Sequence, residues 1–99
     1  MANVEYGENA VDYTIVMTNA NAEYPLALPD GVKAIEIQSR DAVDVRMSFA
    51  TGKVATPTES YRTIKSGALY TKELLYLNVT TLYLACASGG KTVEVRAWF

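Results

Sequence analysis

Apolar and polar residues alternate with a period of two through most of this chain, the spacing that sends successive side chains to opposite faces of a pleated strand. In residues 11–19, Val11, Tyr13, Ile15 and Met17 share the face expected to point inward, and Val16 is the apolar residue out of phase. Tyr24, Leu26 and Leu28 share a face in residues 24–28, where Pro25, which lacks an N–H, calls for a sheet edge or a strand start. Residues 32–40 set Ile35 and Ile37 against Ala34, Glu36, Gln38 and Arg40. The cleanest alternation is residues 43–49, with Val43, Val45, Met47 and Phe49 opposed to Asp44, Arg46 and Ser48. Residues 81–86 and 92–98 repeat the pattern and close the chain.

The connections carry turn chemistry. Asn19-Ala20-Asn21 tolerates left-handed backbone angles, and in Leu28-Pro29-Asp30-Gly31 the proline presets φ while the glycine takes a positive one. Arg40-Asp41-Ala42 links the next two strands. Residues 50–59 have no period and predict a loop long enough to switch sheets. Residues 61–65 and 69–72 read as a hairpin about Ser66-Gly67-Ala68, and residues 81–86 and 92–98 as a second one about Ser88-Gly89-Gly90-Lys91. A competing reading has Ser66 cap a helix reaching Leu77, since Leu69, Glu73, Tyr76 and Leu77 recur at helical spacing. Seven to eight short strands at spacings of roughly ten residues predict an all-β fold, an antiparallel β-sandwich or jelly roll. Residues 11–99 form its single domain. Residues 1–10, with Val4 and Tyr6 as their apolar anchors, form either an arm that orders on a neighbouring subunit or a frayed end.

Composition narrows the function more than the fold. At 99 residues, 49% hydrophobic and 20% charged, the chain is the size and polarity of one globular domain. A net charge of −2 supplies no cationic field, which disfavours nucleic acid as a partner. No basic, apolar leader and no membrane-length apolar run is present, so the expectation is synthesis in a cytoplasm and no membrane contact. The absence of histidine and a single cysteine remove the commonest general base, the usual zinc ligand sets and an internal disulfide.

Each candidate for chemistry has a plainer explanation. Asp41 and Asp44 lie at a turn and on a strand that sends them to different faces, as solvated acids do. Asn19, Asn21, Glu23 and Asp30 could gather oxygen ligands for calcium, yet lack the spacing of a calcium loop and suit turns. Gly89-Gly90-Lys91 is a turn lacking the remainder of a phosphate loop, and Cys86 sits in an apolar run as a small buried hydrophobe. The sequon at Asn78 has no secretory signal to give it meaning. The chain is therefore expected to be no enzyme and to need no cofactor or metal. Tyr83 and Trp98 are out of phase with their buried neighbours and, with Val4 and Tyr6, are the expected protein-contact residues.

The run from Asp12 to Tyr24, then Leu28-Pro29-Asp30-Gly31-Val32-Lys33, Thr81-Leu82-Tyr83-Leu84 and Val93-Glu94-Val95-Arg96-Ala97-Trp98, resembles small proteins encoded among the structural genes of tailed bacteriophages. This chain has Lys65-Ser66-Gly67-Ala68 where the related proteins carry a Pro-Ala-Gly-Gly-like turn. The resemblance implies a component of the virion: a capsid decoration (cement) protein, or a head-fibre or tail-associated piece. Such a protein self-associates and docks on the major capsid protein lattice, with a trimer expected by analogy with three-fold lattice positions. The alternative is a carbohydrate- or receptor-binding module of the host-recognition apparatus, suggested by seven tyrosines and one tryptophan.

Overall fold

A computed structural model of the chain describes residues 10–56, 60–73 and 80–99. These residues form eight strands and no helix: β1 (Ala10–Met17), β2 (Tyr24–Leu28), β3 (Ala34–Ser39), β4 (Val45–Ser48), β5 (Arg62–Ile64), β6 (Leu69–Glu73), β7 (Thr80–Ala85) and β8 (Lys91–Trp98). They lie in two four-stranded antiparallel sheets, ordered β1-β8-β3-β6 in the first and β2-β7-β4-β5 in the second. Pairing is nested: β4 with β5, β3 with β6, β2 with β7 and β1 with β8. A long two-stranded ribbon folded at its middle has been rolled up, and the roll is closed by β3 with β8 and β4 with β7. This is jelly-roll topology, one of the two architectures expected.

The two inward faces make one core. From the first sheet come Met17, Ile35, Ile37, Val93, Val95 and Ala97, and from the second Leu28, Val45, Met47, Ile64, Leu82 and Leu84. Tyr13, Ile15, Tyr24 and Leu26 pack against it, on the faces their alternation predicts, and Cys86 is a buried free thiol within it. Two apolar residues expected inward are not: Val11 near the open end of β1 and Phe49 just past the end of β4 are both exposed. Alternation holds only while the chain stays extended, and β4 stops at Ser48. Pro25 is the second residue of edge strand β2, where its missing donor is tolerated. Gly31 has φ +88°, as the turn after Leu28 requires.

Three connections differ from expectation, each in which sheet the chain enters next. Residues 61–65 and 69–72 are not a hairpin: β5 belongs to the second sheet and β6 to the first. The tight turn, closed by a 2.9 Å bond from Ala68 N to Lys65 O, is where the chain crosses between sheets. Nor do β7 and β8 pair with each other; residues 86–90 also cross. The predicted sheet switch in residues 50–59 is instead the one connection that stays within a sheet, since β4 and β5 are neighbours. The physical reason is reach. At about 3.3 Å per extended residue, four residues span the roughly 10 Å between packed sheets, so a short turn can cross and a long loop need not. Strand β6 occupies Leu69–Glu73, which rules against a helix beginning at Ser66; residues 74–77 lie outside the described residues, as does Asn78.

The crossing loops brace one another at one end of the sandwich. Asn21 takes the left-handed conformation, φ 55°, and its N–H donates to Cys86 O at 2.7 Å. Gly90 N donates to Met17 O at 2.8 Å. A Cβ on Gly89 would stand 2.8 Å from Thr18 O and 3.3 Å from Ala20 N, so only glycine fits that approach without displacement.

Candidate contact surface

Because the inner residues of β1, β8, β3 and β6 fill the core, the residues between them build the outer face of the first sheet, and strand register sets them in rows. Ala10, Trp98 and Ala34 stand side by side. The next row is Asp12, Arg96, Glu36 and Thr71, and the one after it Thr14, Glu94, Gln38 and Leu69. A shallow depression of about 390 Å³ runs across the last two of these rows, and Arg40 reaches it from the turn beyond β3.

The charges on this face are satisfied laterally. Arg96 donates to Asp12 through Nε at 2.6 Å and a terminal nitrogen at 3.0 Å, a two-pronged pairing that fixes both planes. Glu94 accepts from Gln38 Nε2 and from Arg40 Nε, each at 2.8 Å. The bond from Arg96 holds the Asp12 carboxyl below its ordinary range, and the bonds from Gln38 and then Arg40 do the same for Glu94. Asp12 in turn raises Arg96 above the usual guanidinium value. Exposed pairs of this kind add little to stability; their effect is to order side chains and cancel charge. Glu36 is different. It stands opposite Arg96, whose guanidinium is already committed to Asp12, and is the depression's one carboxylate without a hydrogen bond among the described residues.

Trp98 borders this face. Its neighbours across both strand pairs, Ala10 and Ala34, are small enough to seat the indole, and the Arg96 guanidinium lies 5.8 Å from its ring centroid. Tyr83 is elsewhere: it points outward from the second sheet, between Pro25 and Ser48. Both rings are half-buried, on opposite sides of the sandwich, so they belong to two separate surfaces. Val4 and Tyr6 lie outside the described residues.

On the outer face of the second sheet Pro25, Ala27 and Thr63 are exposed, whereas the part around Ser48 and Ala85 is covered. Residues 49–56 fold back over it: Ser48 Oγ accepts from Ala50 N at 3.0 Å, and Arg46 Nε donates to Val54 O at 2.8 Å. The second arm of Arg46 reaches Asn21 Oδ1 at 2.6 Å. Glu23 completes the clasp, accepting from Thr51 Oγ1 at 2.7 Å and from Gly52 N at 2.8 Å. Val54 is fully buried although it is not part of the central cluster. Asn21 and Glu23, considered above as calcium ligands, therefore spend their oxygens on this clasp. Asp41 and Asp44 likewise brace loops, Asp41 accepting from Thr92 N at 2.8 Å and Asp44 from Ser66 N at 2.7 Å. The Ser66 bond, aided by Lys65, lowers the Asp44 pKa. Among the described residues no three of His, Cys, Asp and Glu lie close enough together to hold a metal ion.

The clasp was not apparent from sequence, because Arg46 reads as an ordinary outward residue of an alternating strand. The laterally paired face was half apparent: its residues are the polar halves of three alternations, but only the register shows who stands beside whom.

No family model matches the chain, and no curated protein matches it. Among solved structures it is similar to a de novo designed double-stranded β-helix, at 19% identity and a TM-score of 0.52, over 92% of this chain and 97% of that one. At that identity the likeness concerns the fold alone.

Proposed function

We propose that this chain is a non-enzymatic structural protein of a tailed-phage virion, a capsid decoration protein that self-associates and docks on the capsid lattice through the outer face of its first sheet. The observation that carries the reading is the contrast between the faces: one is partly clasped under its own loop, and the other is, among the described residues, open, with its charges paired laterally except for Glu36. A surface whose ion pairs are already made can be covered with little desolvation of unpaired charge, which suits a stable docking face better than a substrate cleft. Leu69 is exposed at one edge of the face and Val16 at the other, supplying apolar contact at both margins. Glu36 is positioned to meet a cation on the lattice.

Two measurements test this. Virions of the parent phage should contain the chain in stoichiometric amount; particles lacking it would overturn the proposal. Purified chain should sediment with particles, and Glu36→Lys should weaken that binding at least tenfold while leaving the melting temperature close to the parent's.

The second reading, a carbohydrate- or receptor-binding module, is favoured by one observation: polar rows next to the Arg96–Trp98 stack form a depression of about 390 Å³, a volume that would admit a sugar ring. A glycan array separates the two. Binding abolished by Trp98→Ala supports the module, and no binding on the array with retained particle binding supports the decoration protein.

A further inference from the structure

We infer that β1 pairs with β1 of a second copy of this chain, antiparallel about a two-fold axis at Tyr13, joining two copies of the first sheet into one. This deepens the self-association proposed above and takes only its biological setting from that reading.

A sheet edge offers a row of unpaired backbone N–H and C=O groups, and folds that stay apart blunt such edges with shortness, proline, lysine or bulges. Among the described residues the edges are β1 and β6 in the first sheet and β2 and β5 in the second. Three are blunted: β2 has five residues and contains Pro25, β5 has three residues and opens on Arg62, and β6 has five residues and carries Lys72. Strand β1 has no such device. It runs for eight residues without Pro, Lys or Gly, and its eight successive pairs with β8 show no bulge. Val11 and Val16 on this edge are 42% and 54% exposed.

The sequence of β1 identifies what fits it. Around Tyr13 the strand is palindromic in chemical class, so antiparallel pairing on that centre sets Ala10 against the partner's Val16, Val11 against the partner's Ile15, Asp12 against the partner's Thr14, and Tyr13 against the partner's Tyr13. Apolar meets apolar and polar meets polar in each of these four pairs, and Met17 lies beyond them. Moving the centre to Thr14 would place Val16 against a carboxylate. Pairing on Tyr13 also opposes residues of equal parity, so the backbone groups that point off one edge meet those that point off the other. Asp12 brings no repulsion, because its charge is answered by Arg96 within its own chain. A self-complementary patch of this kind is what a two-fold interface requires.

Sedimentation equilibrium of the full chain at micromolar concentration should give the mass of two chains, each of 10.8 kDa. Thr14→Asp sets one carboxylate opposite each Asp12 across the axis and should raise the dissociation constant about tenfold or more, whereas Thr14→Lys, which offers Asp12 an opposite charge, should leave the dimer intact. Thermal melting of both variants confirms that they are folded. In a mixture of isotope-labelled and unlabelled chains, intermolecular contacts between Asp12 and Thr14 fix the register independently of either variant. A mass of one chain or of three, or equal dissociation constants for the two variants, would overturn the inference. A dimer absent from virions would contradict the proposed function and leave this pairing standing; a monomer that still binds particles would do the reverse.

Discussion

The two outer faces of this sandwich are built on the same rule and end in different states. On each, polar residues stand among the outward positions, and each carries an outward arginine, Arg96 on the first sheet and Arg46 on the second. Arg96 turns sideways to Asp12 on the neighbouring strand and leaves its face open. Arg46 reaches up to Val54 O and across to Asn21, and so pins a loop over its face. The difference comes from the length and path of the connections. The chain after β4 has thirteen residues before β5, the next strand of the same sheet, and must lie somewhere; β1, β3 and β6 of the first sheet are each followed by a strand of the second. Connection length, not strand pattern, decides which face is available to a partner.

Substitutions should separate the faces by size of effect. Arg46→Ala removes both arms of the clasp and leaves a loop carbonyl without its donor, which should cost about 2 kcal/mol and lower the melting temperature of a chain this short by roughly 8–16 °C. Calorimetry checks the loss, and faster proteolysis within residues 49–61 locates it. Glu23→Ala removes the other half of the clasp, the bonds to Thr51 and Gly52, and should cost about 1 kcal/mol with the same loop loosened. The first face should respond least, and through pH. Asp12 and Glu94 have folded pKa values below their unfolded ones, so the stability they add is present above about pH 4 and is lost as pH falls through the depressed values. Melting temperature should decline across that acid range, and Asp12→Asn should remove part of the decline while changing the neutral-pH value less than either clasp variant does. Added salt should shrink the acid effect, since these pairs are exposed.

Much of the fold was legible in the sequence because alternation is a local property. Val45 and Met47 against Arg46, or Leu82 and Leu84 against Tyr83, need no knowledge of the partner strand to show which side is buried. Partner choice is not local. The turn at Ser66-Gly67-Ala68 has the backbone angles of a reversal whether the chain returns beside itself or crosses to the other sheet, and nothing in those residues distinguishes the two. The long loop misled in the opposite direction, since its length suggested travel while Glu23 and Arg46, distant in sequence, hold it in place. The open face was partly readable for the same reason: Glu36, Glu94 and Arg96 stand out as polar residues on strands, while the pairing of Arg96 with Asp12, eighty-four positions away, depends on the rolled topology. Trp98 was singled out by its phase; that it sits between two alanines and under Arg96 required the register.

Radical footprinting of the chain, free and bound to capsids, tests most directly whether the open sheet is the working face. Trp98 and Leu69 report on the first sheet and Tyr83 on the second, within one sample. Binding through that sheet should shield Trp98 and Leu69 and leave Tyr83 labelled as in the free chain; shielding of Tyr83 with Trp98 and Leu69 unchanged would place the working face on the second sheet instead.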